Sequence, residues 1–215
     1  MPLESLQIAG HQLQLLLPDP QQMLEDAVAG EAEGSAGWDP YWGLLWAAAP
    51  LTAELILRAP PRCRRALELG CGVGLTGIAG LMAGLAVTFS DQSPAAVQMA
   101  QANAERNGYP GACGLVFGWD QPPRDSDGWD FLFGSDILYD RAAHQPLLTS
   151  LQQLLQPGGI VWIGDAGRAN AAVFADSAAA AGWTVRLYDR RLLPVRSFEQ
   201  LQFRLLVLER RVRVV

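Results

Sequence analysis

Hydrophobic positions along this chain fall into two alternating rhythms. Residues 6–17 partly alternate apolar and polar, which predicts a half-buried strand or hairpin ended by Pro18 and Pro20. An apolar helix is expected from Pro40 to about Leu57, after the loop-like residues 30–37. From Arg64 onward, short apolar runs and helix-period segments take turns. Strands are expected at 64–69, 85–90, 113–118, 129–135 and 160–164, and helices at 75–83, 94–107, 142–155 and 169–181. Ser93-Pro94 supplies a helix start, and Asn107-Gly108 a stop. Residues 121–128, rich in Pro, Asp and Gly, read as loop. Two final strands, 183–189 and 200–208, have no helix between them and predict an antiparallel hairpin at the sheet edge. Repeated strand–helix units predict an α/β fold: a mostly parallel sheet with helices on both faces.

The stretch between the first such strand and helix carries the chemistry. Gly70, Gly72 and Gly74 form a tight turn where backbone can approach a ligand, and the helix start offers free amides. Ligands of such sheets bind beyond the carboxyl ends of the strands, so residues just after each strand are informative. They are Asp91, Trp119, Asp120, Ser135, Asp136 and Asp165, and no basic residue is read at a strand end. Asp136 could also serve as a cap in the turn leading into the helix at 142–155. Gly72-x-Gly74-x-x-Gly77 alone also fits a dinucleotide fingerprint. Glu68, inside the first strand, is costly to bury without a partner, and a cationic ligand nearby would supply one. A pyrophosphate would be repelled by the same acidic rim.

Composition narrows the classes. With 215 residues, the chain is expected to be one domain (38–215) with an N-terminal extension (1–37). Half of the residues are hydrophobic, and the net charge is −6, which speaks against nonspecific nucleic-acid binding. All 16 basic residues are Arg, and none precedes Arg58; neither an ordinary signal peptide nor an Arg-rich transit peptide is expected. The uncharged run Leu69–Ser90 is broken by glycines and reads as strand–turn–helix–strand, not as a membrane span. Cys63, Cys71 and Cys113 lack metal-type spacing, and His11 and His144 stand apart. Reduced thiols, no metal and a cytoplasmic location are expected. The Arg-rich segment from Trp183 reads as solvated strand faces, with docking of an acidic partner as the alternative.

Glu68-Leu69-Gly70-Cys71-Gly72-Val73-Gly74 resembles the first motif of the seven-strand class I S-adenosylmethionine-dependent methyltransferases. Trp46, Asp91, Trp119 and Ser135-Asp136-Ile137-Leu138-Tyr139 are similar to the protein-lysine methyltransferase group, which has an Asp-x-x-Tyr signature after the fourth strand. Pro40-Tyr41-Trp42 and Gly164-Asp165-Ala166-Gly167-Arg168 resemble the branch acting on the electron transfer flavoprotein β subunit, although that branch commonly has Pro where Ala166 stands.

The resemblance implies a Rossmann-like seven-stranded sheet and S-adenosylmethionine as cofactor. It implies that Gly70, Cys71, Gly72 and Gly74 hold the cofactor's methionine portion or shape that turn, and that Asp91 takes the ribose. Trp119 would lie beside adenine with Asp120 near its amine, Trp46 and Ser135 would complete the wall, and Asp136 and Tyr139 would face the acceptor. Asn103 and Asn107 read as structural. The implied partner is a protein presenting a lysine, the flavoprotein β subunit being one candidate. Nucleic-acid and membrane partners are not expected, and the chain is expected to act as a monomer. A small-molecule N-methyltransferase, an NAD(P)-dependent oxidoreductase and a non-catalytic binding module remain alternatives.

Overall fold

The computed structural model describes residues 1–25, 40–124, 127–198 and 202–210. The expected loop at 30–37 lies outside them, as do parts of the predicted 121–128 loop and of the 200–208 strand. The N-terminal segment folds as a hairpin of β1 (Leu3–Ile8) and β2 (His11–Leu16), with Leu13 and Leu15 fully buried. Asn103 and Asn107 fasten it to the body. The Asn103 side chain accepts from the Leu16 amide and donates to the carbonyls of Leu16 and Val73; Asn107 makes the same pair of bonds to Gln14.

The expected single helix over 40–57 is instead a 3-10 turn, Pro40–Gly43, followed by α1 (Ala48–Arg58). Pro50 explains the break: in a helix its ring would press on the carbonyl four residues earlier, at Trp46, so it fits only in a first turn. Then follow β3 (Arg65–Leu69), α2 (Leu75–Met82), β4 (Ala86–Asp91), α3 (Pro94–Arg106), β5 (Cys113–Val116) and β6 (Trp129–Ser135). After them come α4 (His144–Leu154), β7 (Leu155–Asp165), α5 (Ala169–Ala180), β8 (Trp183–Tyr188), the two-residue β9 (Pro194–Val195) and β10 (Arg204–Arg210).

These strands form an eight-stranded sheet in the order β5-β4-β3-β6-β7-β10-β8-β9. It is parallel from β5 through β7, and β10 runs antiparallel to both β7 and β8. The predicted C-terminal antiparallel pair is present, but β10 inserts between β7 and β8, so β8 with β9 forms that flank. β7 also begins earlier than expected. Leu155 already pairs with Trp129; the register is then irregular until Ile160 meets Phe131, and Pro157, Gly158 and Gly159 lie within that stretch.

Helices cover both faces. Leu67, Leu69, Leu132 and Val161 pack against Leu147, Leu151 and Phe174 of α4 and α5. On the other face, Ala66, Phe131 and Phe133 meet Leu55 and Ile56 of α1, while Phe89 meets Ile78 of α2. His144 belongs to the core: Nε2 lies 3.1 Å from the Leu138 carbonyl, and the ring sits edge-on to Phe174. Strand order reverses between β3 and β6, which is where an open α/β sheet leaves a crevice at its carboxyl edge.

Candidate functional site

That crevice is occupied by a cavity of about 490 Å³, large enough for a nucleoside-sized ligand. Its floor is the turn after β3. Gly72 has φ +49 and Gly74 φ +85, in the left-handed region that side chains disfavour. A Cβ at Gly72 would strike the Trp42 carbonyl, and one at Gly74 would strike Ala100. Gly74 thus serves helix packing, and it does not line the cavity.

Asp91, at the end of β4, braces the turn from the side. Its Oδ2 accepts from the Gly72 amide at 3.1 Å and its Oδ1 from the Ser93 amide at 3.0 Å. Trp119 forms another wall, its carbonyl held by the Ser150 hydroxyl at 2.7 Å. Tyr41, Trp42 and Trp46 close the opposite side; the Trp46 indole donates to the Tyr41 carbonyl, and the two rings meet edge-on at 6.2 Å.

Gly70, Cys71, Gly72, Asp91, Trp119, Ser135, Asp136, Tyr139 and Trp46 all line the cavity. Gly74, Asp120, Glu68 and Asp165, also marked by the sequence, do not. Asp120 is exposed beyond the wall. Glu68 points to the sheet face covered by α2, against Gly77. It is 2 % exposed and lies behind the turn. Burial pushes its carboxyl well above the usual range; the Asp91 charge adds to the rise, and the Gly77 amide and Thr76 hydroxyl oppose it.

Burial therefore favours the protonated form of this side chain in the folded chain. The unfolded chain loses this proton above about pH 4.5 while the folded chain keeps it, so Glu68 lowers stability as pH rises until the folded carboxyl itself ionises. Glu68→Gln is expected to flatten that decline and to raise the melting temperature at pH 8 by a few degrees, measured by thermal unfolding at pH 5 and pH 8. A variant that loses stability at pH 8 would show that the ionised carboxylate is needed.

The opposite end of the cavity holds a compact ionic cluster. Asp136 follows β6 with φ +58, a conformation Asp tolerates better than most residues. Its amide donates to the Gly164 carbonyl at 2.8 Å, and its Oδ2 accepts from the Ala48 amide at 2.7 Å, capping the start of α1. Its Oδ1 is paired with Arg168 Nη1. Asp165, fully buried at the end of β7, accepts from the amides of Gly167 and Arg168 through Oδ1, and its Oδ2 lies 3.6 Å from the same guanidinium nitrogen. Burial raises the Asp165 carboxyl, against the pull of those amides and of Arg168. The guanidinium stands over the Trp46 ring at 5.5 Å. The strand-end rule does not mark Arg168, which lies three positions beyond β7; the Gly167 turn brings it back. The Asp136 carboxylate thus has a partner on each oxygen, the Ala48 amide and Arg168.

A glycine turn, a carboxylate braced beside it and aromatic walls thus meet in one crevice at the switch point. Residues 41–174 match the lysine methyltransferase family, and the chain belongs to that family. It is 33% identical over 138 residues to the electron transfer flavoprotein β subunit lysine methyltransferase of Danio rerio, covering 61% of this chain and 52% of the relative. It is 35% identical over 97 residues to the EEF1A lysine methyltransferase 3 of Xenopus tropicalis, covering 44% and 43%. The chain spans about half the length of these relatives. Among solved structures, a TehB-like SAM-dependent methyltransferase from Corynebacterium glutamicum superposes with TM-score 0.63 at 20% identity, over 90% of this chain and all of that one. The glycopeptide N-methyltransferase MtfA complexed with S-adenosylmethionine gives 0.58 at 13% identity, over 76% and 94%. The fold is that of the class I methyltransferases.

Proposed function

We propose that the protein is an S-adenosylmethionine-dependent protein-lysine N-methyltransferase. The observation that carries this is one crevice with two chemically distinct ends: a glycine turn with Asp91 at one, and a carboxylate–aromatic cluster at the other. S-adenosylmethionine, when bound, supplies a methyl group already activated on a sulfonium. Gly70, Cys71 and Gly72 would hold its methionine portion, Asp91 the ribose hydroxyls, and Trp119 the adenine, with Trp46 and Ser135 completing the wall. The residues fit such a ligand: the turn leaves backbone bare, the rim is acidic, and among the described residues no basic group stands at the turn to receive a pyrophosphate.

The chain's own contribution is alignment of the acceptor, worth up to roughly 7–11 kcal/mol in well-oriented reactions. A lysine amine with a solution pKa near 10.4 is neutral in roughly one part in a few thousand at pH 7, and a desolvated aromatic pocket raises that fraction. Asp136 orients the amine through Oδ1, the oxygen that faces Arg168, while Oδ2 stays on the Ala48 amide; the proton is lost to water and not to this carboxylate. Tyr139, 51% exposed at the mouth, lies where the proton leaves to water and where its ring can meet the alkyl-ammonium. Among the described residues, no helix is long and apolar enough to cross a membrane, and the proposal places the enzyme in the cytoplasm as a monomer. The flavoprotein β subunit is the first acceptor to try, because the relative cited above is named for it.

Purified protein, given methyl-labelled cofactor and a cell lysate, is expected to produce labelled methyl-lysine in a protein band. The enzyme itself has no Lys, so every labelled lysine comes from an acceptor. Label confined to small molecules, or thermal stabilisation by NAD or NADP in place of S-adenosylhomocysteine, would overturn the proposal.

A further inference from the structure

The cluster at the acceptor end has the composition of a cation seat. Asp136 and Asp165 are both buried, and they present carboxylate oxygens toward one point while Trp46 offers its indole face beside them. Two buried acids and an aromatic face recognise an alkylammonium as well as a guanidinium. In this structure the chain fills the seat itself. Arg168 Nη1 touches Asp136 Oδ1 and stands 3.6 Å from Asp165 Oδ2. Arg168 is the sole basic side chain lining the cavity among the described residues.

We propose that this seat is the subsite for the acceptor's ammonium group, and that Arg168 is its resident stand-in, displaced into solvent when a lysine enters. The inference rests on the lysine-methyltransferase reading above. Two features support displacement over permanent occupancy. The Arg168 side chain is 27% exposed while both of its acid partners are essentially sealed, so the guanidinium is the member with a route outward. Asp165 Oδ2 is buried without a hydrogen-bond partner, so the planar fork leaves the seat incompletely satisfied. A compact ammonium with three rotatable donors suits such a corner better. The arrangement also selects its acceptor: a hydroxyl or thiol carries no charge to replace the guanidinium, and would leave two buried acids unpaired.

The test uses n-butylammonium, the lysine side chain without its backbone, titrated by calorimetry into protein saturated with S-adenosylhomocysteine at fixed ionic strength. Arg168→Ala is expected to bind it at least tenfold more tightly than the parent, and adding Asp136→Asn is expected to abolish the gain. Equal affinity of parent and Arg168→Ala, or a gain that survives Asp136→Asn, overturns the proposal. Should Arg168→Ala fail to fold, Arg168→Gln keeps the side-chain length without the charge and is held to the same outcomes. Labelling of lysate proteins by the parent is read separately. A parent that labels lysine while the Arg168 variants gain no affinity refutes the stand-in alone; a parent that labels no lysine refutes the activity beneath it.

Discussion

Asp136→Ala is expected to lower methyl transfer at least about a hundredfold, the scale on which misplaced reacting groups slow a bound reaction, while affinity for S-adenosylhomocysteine changes by less than about threefold. The separation follows from position: Asp136 meets α1 and Arg168, and makes no bond to the glycine turn. The substitution should also cost stability. Ala48 loses the acceptor for its amide, worth about 1 kcal/mol for a helix cap, and Arg168 loses one of its two carboxylates. Together these come to about 2–4 kcal/mol, or roughly 5–15 °C in melting temperature for a chain of this size. Asp136→Asn keeps an oxygen for the Ala48 amide and should recover much of the stability without the rate. Calorimetry, single-turnover labelling and thermal unfolding on the two variants decide the matter. Loss of cofactor affinity with transfer retained would reverse the roles assigned to the two ends of the crevice.

Asp91→Ala should do the opposite. Hydrogen bonds from a charged group contribute about 1.5–3 kcal/mol, so cofactor affinity is expected to fall roughly 10–100-fold, with the turnover rate at saturating cofactor within about threefold of the parent. Part of the loss comes from the turn itself, because the carboxylate holds the Gly72 and Ser93 amides in place. Asp91→Asn, which keeps one acceptor oxygen, should fall between. Titration with S-adenosylhomocysteine and initial rates over a cofactor series measure both quantities. Unchanged affinity in Asp91→Ala would remove the ribose contact from the proposal.

Strong local signals are legible in the sequence, and contacts between distant segments are not. The strand at 129–135 and the helix starting at Pro94 lie where period and capping predict them, since both are governed by neighbours in sequence. The insertion of β10 between β7 and β8 is hidden, because alternation along a strand shows that it pairs but not with which neighbours. Glu68 misleads for a similar reason. Its cost of burial is evident, but the sequence does not show that it faces α2 at Gly77, where burial raises its carboxyl. Arg168 stands in a motif of the resemblance, but its place in the site is hidden because a guanidinium reaches far from its own backbone; its pairing with Asp136 joins residues that follow two different strands. Asp136 does act as a cap, but on a helix the sequence gives no reason to choose. It caps α1, whose first residue Ala48 lies 88 positions earlier, and not the helix that follows it.

One amide joins the amino-terminal hairpin to the glycine turn. Asn103 grips Leu16 through both its backbone groups and, with the same side-chain nitrogen, holds the Val73 carbonyl between Gly72 and Gly74. The first two strands touch nothing in the crevice, yet they share a tether with its floor. Trimming them away would therefore not be a neutral shortening: Asn103 would be left turning toward water, Val73 would lose its anchor's orientation, and the bend between Gly72 and Gly74 would sit on a loosened hinge.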